Sequence, residues 1–282
     1  MLATPERMGD LHPIRVLDMG VPGSVRYVDT GEPGWHPVVF FGGVGTSAAA
    51  FSLTEFARAL REMLGLRFVS VERNGFGDTR FMSGLGFAQP VNDVLGVLEA
   101  LGVERFSVVA ISGGGPYAAR LVARVPERIV SIHLAAATSG GELLHRGAAA
   151  AMLADLEAIV ADPEGFWDYP PESAVRLIPG FIEASRREGR HALGEPGRAR
   201  QALRHELTLL CSEALPDLRS VPAPAFLYWG GRDDLVPLEQ ARAWQAALGS
   251  DVTLRVHPDS GHDVQYLHWH EILTDIAGSA VT

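Results

Sequence analysis

Hydrophobic positions along this chain follow two alternating rhythms. Short apolar-rich runs with β-branched residues give way to stretches in which apolar positions return every three or four residues. Ile14 to Met19 and Ser24 to Thr30 predict two strands joined around Val21-Pro22-Gly23. Val38 to Phe41 predicts a buried strand, Phe51 to Leu64 a helix, Arg67 to Glu72 a strand and Val91 to Leu101 an amphipathic helix closed by Gly102. Phe106 to Ile111 is a further strand, breaking at Ser112 into a helical stretch through Arg124, and Ile129 to Ala137 is the next. Strands that alternate with helices in this way predict an α/β class protein, a mostly parallel sheet covered by helices on both faces.

Residues 139–219 interrupt the rhythm. Gly147 to Val160 is helical in pattern, Asp162 to Pro171 is rich in turns and aromatics, and the arginine-rich stretch Glu183 to Leu215 is again helical. Alternation resumes with the strand Ala225 to Trp229, the helix Leu238 to Leu248, the strand Val252 to His257 and a helix from Val264 to Ile276. The expected organisation is a core formed by residues 1–138 and 220–282, with 139–219 as a helical cap over the carboxyl ends of the strands, where open sheets put their sites. Ser139-Gly140-Gly141 would hinge that cap, a mobile lid that sets substrate size and leaves the chemistry to the core.

Composition narrows the picture. A chain of 282 residues, 47% hydrophobic and 21% charged, has ample material for a buried core. The net charge of −10 disfavours a nucleic-acid or anionic-membrane surface. All 24 basic residues are arginine. One cysteine, Cys211, leaves no intramolecular disulfide and no cysteine-clustered metal site. Met1 to Arg7 lacks the basic-then-apolar build of a signal peptide, and no long apolar run is present, so a cytoplasmic protein is expected.

The candidate chemistry lies at the ends of the predicted strands. In Ala110-Ile111-Ser112-Gly113-Gly114 a serine sits in an abrupt strand-to-helix turn, which would lift its Oγ over the sheet edge beneath a helix N-terminus. The N–H of Gly113 would then face the carbonyl under attack. Ala137-Thr138-Ser139-Gly140-Gly141 fits the same pattern, so two serines compete. A nucleophilic serine needs a base, and the base needs an orienting acid. His262, in a glycine turn beyond a strand, is the candidate base; Asp233, in the turn Gly230 to Pro237, is the candidate acid, with Asp234 beside it.

Phe41-Gly42-Gly43-Val44-Gly45, Glu72 to Thr79, the Ser112 turn, Gly230-x-x-Asp233-x-x-x-Pro237 and Gly261-His262 follow one another over nearly the whole chain, which in this resembles the α/β-hydrolase superfamily. The resemblance implies that Ser112, after the fifth strand, is the nucleophile and that Ser139 opens the cap. It also implies an oxyanion hole formed by the N–H groups of Gly43 and Gly113. Phe41 replaces the family's usual histidine, and Glu72 and Asn74 replace its aspartate and its arginine or proline. A serine nucleophile, in place of aspartate, argues against haloalkane dehalogenase and epoxide hydrolase activity.

The expected function is therefore hydrolysis of a small-to-medium apolar carboxylic ester or lactone. Phe41 and the cap aromatics Phe166, Trp167, Tyr169 and Phe181 would line its pocket. No cofactor or metal is expected, and no partner beyond a small-molecule substrate; oligomeric state is left open. Carbon–carbon bond hydrolysis, cofactor-free oxygenation, perhydrolysis and lyase chemistry use the same arrangement, and a non-catalytic ligand receptor is the reading from another class.

Overall fold

A computed structural model describes residues 8, 11–19, 23–249 and 251–281, leaving aside the side chains at 145, 146 and 167. Val21 and Pro22 of the first predicted turn lie outside the described residues, as does the side chain of Trp167. Eight strands form one sheet: β1 (Arg15–Asp18), β2 (Ser24–Asp29), β3 (His36–Phe41), β4 (Leu66–Val71), β5 (Phe106–Ile111), β6 (Ile129–Ala135), β7 (Ala225–Gly230) and β8 (Val252–His257). Their spatial order is β1-β2-β4-β3-β5-β6-β7-β8. Pairing is antiparallel at the β1-β2 and β2-β4 edges and parallel from β4 through β8.

Helices α1 (Arg58–Met63), α2 (Ala88–Ala100), α3 (Gly115–Arg124), α9 (Leu238–Leu248), α10 (Val264–Leu267) and α11 (Trp269–Ala280) belong to the alternating part of the chain. Between β6 and β7 come α4 (Gly141–Arg146), α5 (Ala148–Ala154), α6 (Leu156–Ala161), α7 (Phe181–Leu193) and α8 (Pro196–Ser212), with no strand among them. Where one long helical stretch is expected after Glu183, two helices form. Gly194-Glu195-Pro196 is the reason: the Glu195 carboxylate accepts the N–H groups of Gly197 and Arg198, and Pro196 opens α8.

A second departure follows β3. The helix expected over Phe51 to Leu64 begins instead as a 3₁₀ segment, Ala48–Ala57, and becomes α1 only at Arg58. All ten residues of the 3₁₀ segment are buried, so packing on every side sets its winding and overrides local preference.

Side chains on the two faces of the sheet feed two large apolar cores. One gathers Val39, Val108, Leu134 and Leu227 with α2, α3, α8 and α9. The other gathers Phe40, Phe68, Val109 and Tyr228 with the 3₁₀ segment, α7 and α11. A polar thread crosses the sheet among them: His36, Ser107, Ser131, His133, Tyr228 and Asp275 are linked in turn at 2.7–3.1 Å. Each buried polar group in it thereby finds a partner. The parallel strands point their carboxyl ends one way, and Ser112, Asp233 and His262 lie on the loops just beyond them.

Candidate active site

β5 is buried at every residue and ends in Ile111; the chain then turns sharply. Ser112 takes φ of +48°, a left-handed conformation that costs a non-glycine residue on the order of 1 kcal/mol or more. One 3₁₀ turn, Ser112–Gly114, leads into α3. Two glycines are needed because other backbone approaches so closely. A Cβ on Gly114 would lie 2.4 Å from the Phe41 carbonyl oxygen, and one on Gly113 would lie 2.4 Å from Val44 Cγ2 and 2.7 Å from Val44 N. The Ser112 carbonyl accepts the Thr138 N–H at 2.8 Å, tying the turn to the end of β6.

The three side chains singled out in the sequence meet here, although 150 and 29 residues separate them from one another along the chain. His262 Nε2 lies 3.0 Å from Ser112 Oγ, and His262 Nδ1 lies 2.9 Å from Asp233 Oδ2. The Asp233 side chain is fully buried and that of His262 is 18% exposed. Asp233 Oδ1 accepts the N–H groups of Leu235 and Val236 at 3.0 and 2.8 Å, which aims Oδ2 at the imidazole. Asp234 is exposed. Ser139 lies elsewhere: its N–H and Oγ donate to Gln240 Oε1, which also holds Thr138, and its pattern match is a turn at the mouth of the helical insertion.

The loop after β3 is held by a buried charge network invisible in the sequence. Arg73 donates to the carbonyls of Gly42, Gly43 and Thr46 and pairs with Glu206 at 3.0 Å. Glu206 Oε2 accepts the Gly45 N–H at 2.8 Å, and Oε1 accepts the Tyr117 hydroxyl at 3.2 Å. Glu188 accepts both the N–H and the hydroxyl of Ser47, and Glu72 accepts the Ala48 N–H. Glu188 lies on α7 and Glu206 on α8, inside the segment expected to form the cap. Ser173, also in that segment, donates to Asp263 beside His262 at 2.5 Å. The insertion is therefore bonded both to the loop after β3 and to the Asp263 turn beside His262. Long sequence separation hid these contacts; no local motif marks them.

Burial, followed by the neighbouring Glu188 and Asp78 charges, pushes the Glu72 carboxyl up to about 8; burial likewise raises Glu188 to about 7. Glu72 Oε1 and the nearby His191 Nε2 are buried and make no hydrogen bond among the described residues. Both carboxyls hold a proton more tightly folded than unfolded, so their contribution to stability is full below about pH 4.5 and is lost as pH rises toward 8. Glu72→Gln is expected to gain on the parent protein, by on the order of a few kcal/mol, as pH is raised from about 5.5 to 8.5. Urea unfolding of both proteins across that range checks it, since groups common to both cancel in the difference. A constant or shrinking difference would contradict the assignment.

The expected pocket aromatics fall into different places. Phe41 is buried and stacks on Tyr117, ring centroids 6.3 Å apart. Phe166 and Leu203 cover Gly45, with Phe166 Cε1 at 3.2 Å from where a Cβ would stand. Phe181 is fully buried, its ring set edgewise against Tyr169 and Tyr266, so it belongs to the core between α7 and α10. His257, His268 and Glu271 gather with ligand atoms within 4.8 Å of one another, and the two imidazoles stack with centroids 3.4 Å apart.

Residues 38–274 match the alpha/beta hydrolase family, and the chain belongs to it. The chain is 26% identical to a 2-hydroxy-6-oxononadienedioate/2-hydroxy-6-oxononatrienedioate hydrolase of Paraburkholderia phymatum, over 94% of each. It is 25% identical to the dihydrolipoyllysine-residue acetyltransferase component of an acetoin cleaving system from Pseudomonas putida; the match takes in 86% of this chain but only 62% of that protein's length. Among solved structures, one from a study of carboxylesterases of Nitrososphaera gargenis superposes with a TM-score of 0.72 at 16% identity, covering 95% of this chain and 98% of the other. No helix among the described residues is long and apolar enough to cross a membrane.

Proposed function

We propose that the protein is a serine hydrolase that cleaves a small-to-medium apolar carboxylic ester or lactone through an acyl-enzyme. The observation that carries this reading is the hydrogen-bonded chain Ser112–His262–Asp233 on a left-handed serine. Ser112 Oγ attacks the carbonyl carbon while its proton passes to His262 Nε2. Asp233 holds the Nδ1–H tautomer and stabilises the imidazolium that forms. The tetrahedral oxyanion is received by the N–H groups of Gly43 and Gly113. As it collapses, the C–O bond to the leaving group breaks and His262 returns the proton to the departing oxygen. Water, deprotonated by the same imidazole, then attacks the acyl carbonyl and frees the acid and Ser112.

Hydrolysis of a 2-hydroxy-6-oxo dienoate is the second reading, favoured by the likeness to the Paraburkholderia phymatum enzyme. A dianionic substrate asks for cationic donors, and Arg73, the buried arginine behind the Gly42–Thr46 loop, has its contacts committed to that loop and to Glu206. That commitment favours the apolar ester. Turnover of p-nitrophenyl esters from acetyl to dodecanoyl, of lactones and of a 2-hydroxy-6-oxo dienedioate decides between them. The reading predicts hydrolysis of the short and medium esters; turnover of the dienedioate alone would overturn it.

Residues 139–219 serve on this reading as the cap that shapes the acyl pocket. Phe166→Ala is expected to lower kcat/KM for the best ester by about 1–3 kcal/mol and to move the preferred acyl length. An unchanged chain-length profile would remove Phe166 from the pocket.

A further inference from the structure

We propose that Glu206, on α8 of the insertion, is a positioning residue for the oxyanion loop, acting through Arg73; the inference rests on the serine-hydrolase reading above. The peptide unit supplies the reason. In a trans peptide the C=O of one residue and the N–H of the next point in opposite directions. Arg73 Nη1 takes the Gly42 carbonyl at 3.3 Å, and Arg73 Nη2 takes the Gly43 carbonyl. The N–H groups of Gly43 and Val44 are thereby turned away from the guanidinium. Val44 N lies beside Gly113, on the side of the Ser112 turn. Arg73 thus sets the direction of the donor assigned to the oxyanion, although it lies behind the loop.

An arginine side chain is long and would have many rotamers without a fixed counter-charge. Glu206 provides one. Its Oε1 pairs with Arg73 Nη1 at 3.0 Å, and the two side chains are 2% and 6% exposed. Its other oxygen accepts the Gly45 N–H at 2.8 Å, so a single carboxylate holds both the guanidinium and the far side of the loop. Tyr117, one helical turn beyond Ser112, donates its hydroxyl to Glu206 at 3.2 Å; burial and then the Glu206 charge keep that phenol protonated. Two further contacts lock the arrangement: Arg73 Nη2 donates to Thr46 Oγ1 at 3.0 Å, and Thr46 donates to the Gly43 carbonyl at 2.8 Å. The cap would then act on the rate of the chemical step as well as on the size of the substrate.

The test compares Glu206→Gln and Glu206→Leu with the parent protein, using p-nitrophenyl butyrate and an alkyl trifluoromethyl ketone. The ketone adds to the nucleophilic serine as a hemiketal whose oxygen occupies the oxyanion hole, so its affinity reports that hole. Glutamine keeps an acceptor for Gly45 but loses the negative charge that pairs with Arg73; leucine loses both. Expected are falls in kcat of about tenfold for Gln and about a hundredfold for Leu, with KM within about twofold and with ketone affinity falling in step. The pH–rate profile should keep its shape, because the Ser112–His262–Asp233 contacts are untouched. Values of kcat and ketone affinity within twofold of the parent in a folded Gln variant, or a change in KM alone, would overturn the proposal. If the Leu variant does not fold, the Gln variant decides alone. A parent protein that neither hydrolyses the ester nor binds the ketone would instead refute the serine-hydrolase reading.

Discussion

Ser112→Ala is expected to abolish ester turnover down to a residue of binding and oxyanion stabilisation, a loss of about three to six orders of magnitude in kcat. The alanine removes only Oγ, and the left-handed turn is held by its neighbours: the Thr138 bond to the Ser112 carbonyl and the close approach of Phe41 and Val44 remain. Thermal unfolding should therefore stay near that of the parent protein. Ser139→Ala should keep nearly full activity, since its hydroxyl serves Gln240 while His262 is hydrogen-bonded to Ser112. Steady-state kinetics on the two variants check the assignment. Loss of activity in the Ser139 variant, with Ser112→Ala still active, would reverse it.

Asp233→Asn carries the second large effect. Its carboxylate accepts from His262 at one oxygen and from two backbone N–H groups at the other, in a fully buried position. An amide in the same place can turn its NH₂ toward the imidazole, favouring the tautomer with the proton on Nε2, where it cannot accept from Ser112. A loss of two to four decades in kcat is expected, on the scale of an enzyme whose base loses its orienting carboxylate. Asp234→Asn, on an exposed side chain, should cost less than about threefold. Equal losses at the two positions would leave Asp233 without its role.

These two expectations rest on residues that could be read from the chain, because each stands where local rules are strong. Ser112 ends an apolar-rich run and starts a helix; Asp233 and His262 sit in glycine turns directly past strands. The alternation that announced the parallel sheet is itself a local signal, and the strands appear within a residue or two of their expected limits. Where legibility failed, the controlling contacts were distant. Phe51 to Leu64 has helical spacing, yet its first part winds as a 3₁₀ segment because it is buried on all sides. Glu188, Glu206 and Arg73 look like ordinary charges on a polar stretch. They become buried partners of the loop after β3 only once α7 and α8 fold over it, and Glu206 is 161 residues from Gly45.

Phe181 illustrates the same limit for apolar residues. Aromatic content marks the insertion as able to bury area, but whether a ring faces a substrate or its own neighbours depends on the helix pairing. Phe181 turned to Tyr169 and Tyr266. Phe166, in the turn-rich stretch Asp162 to Pro171, instead covers Gly45. The insertion thus divides its rings between the core it shares with α10 and the loop after β3, while its carboxylates bond that loop.

The central claim is that Ser112 becomes acylated during turnover, and trapping the intermediate tests it most directly. The protein is mixed with excess p-nitrophenyl butyrate, quenched in acid within the first turnovers, digested and mapped by mass spectrometry. A single butyryl group is expected on the peptide that carries Ser112, with a matching burst of p-nitrophenol, and neither should occur in Ser112→Ala. Ester hydrolysis that proceeds with no acyl group on Ser112, or with the group on Ser139, would contradict the account.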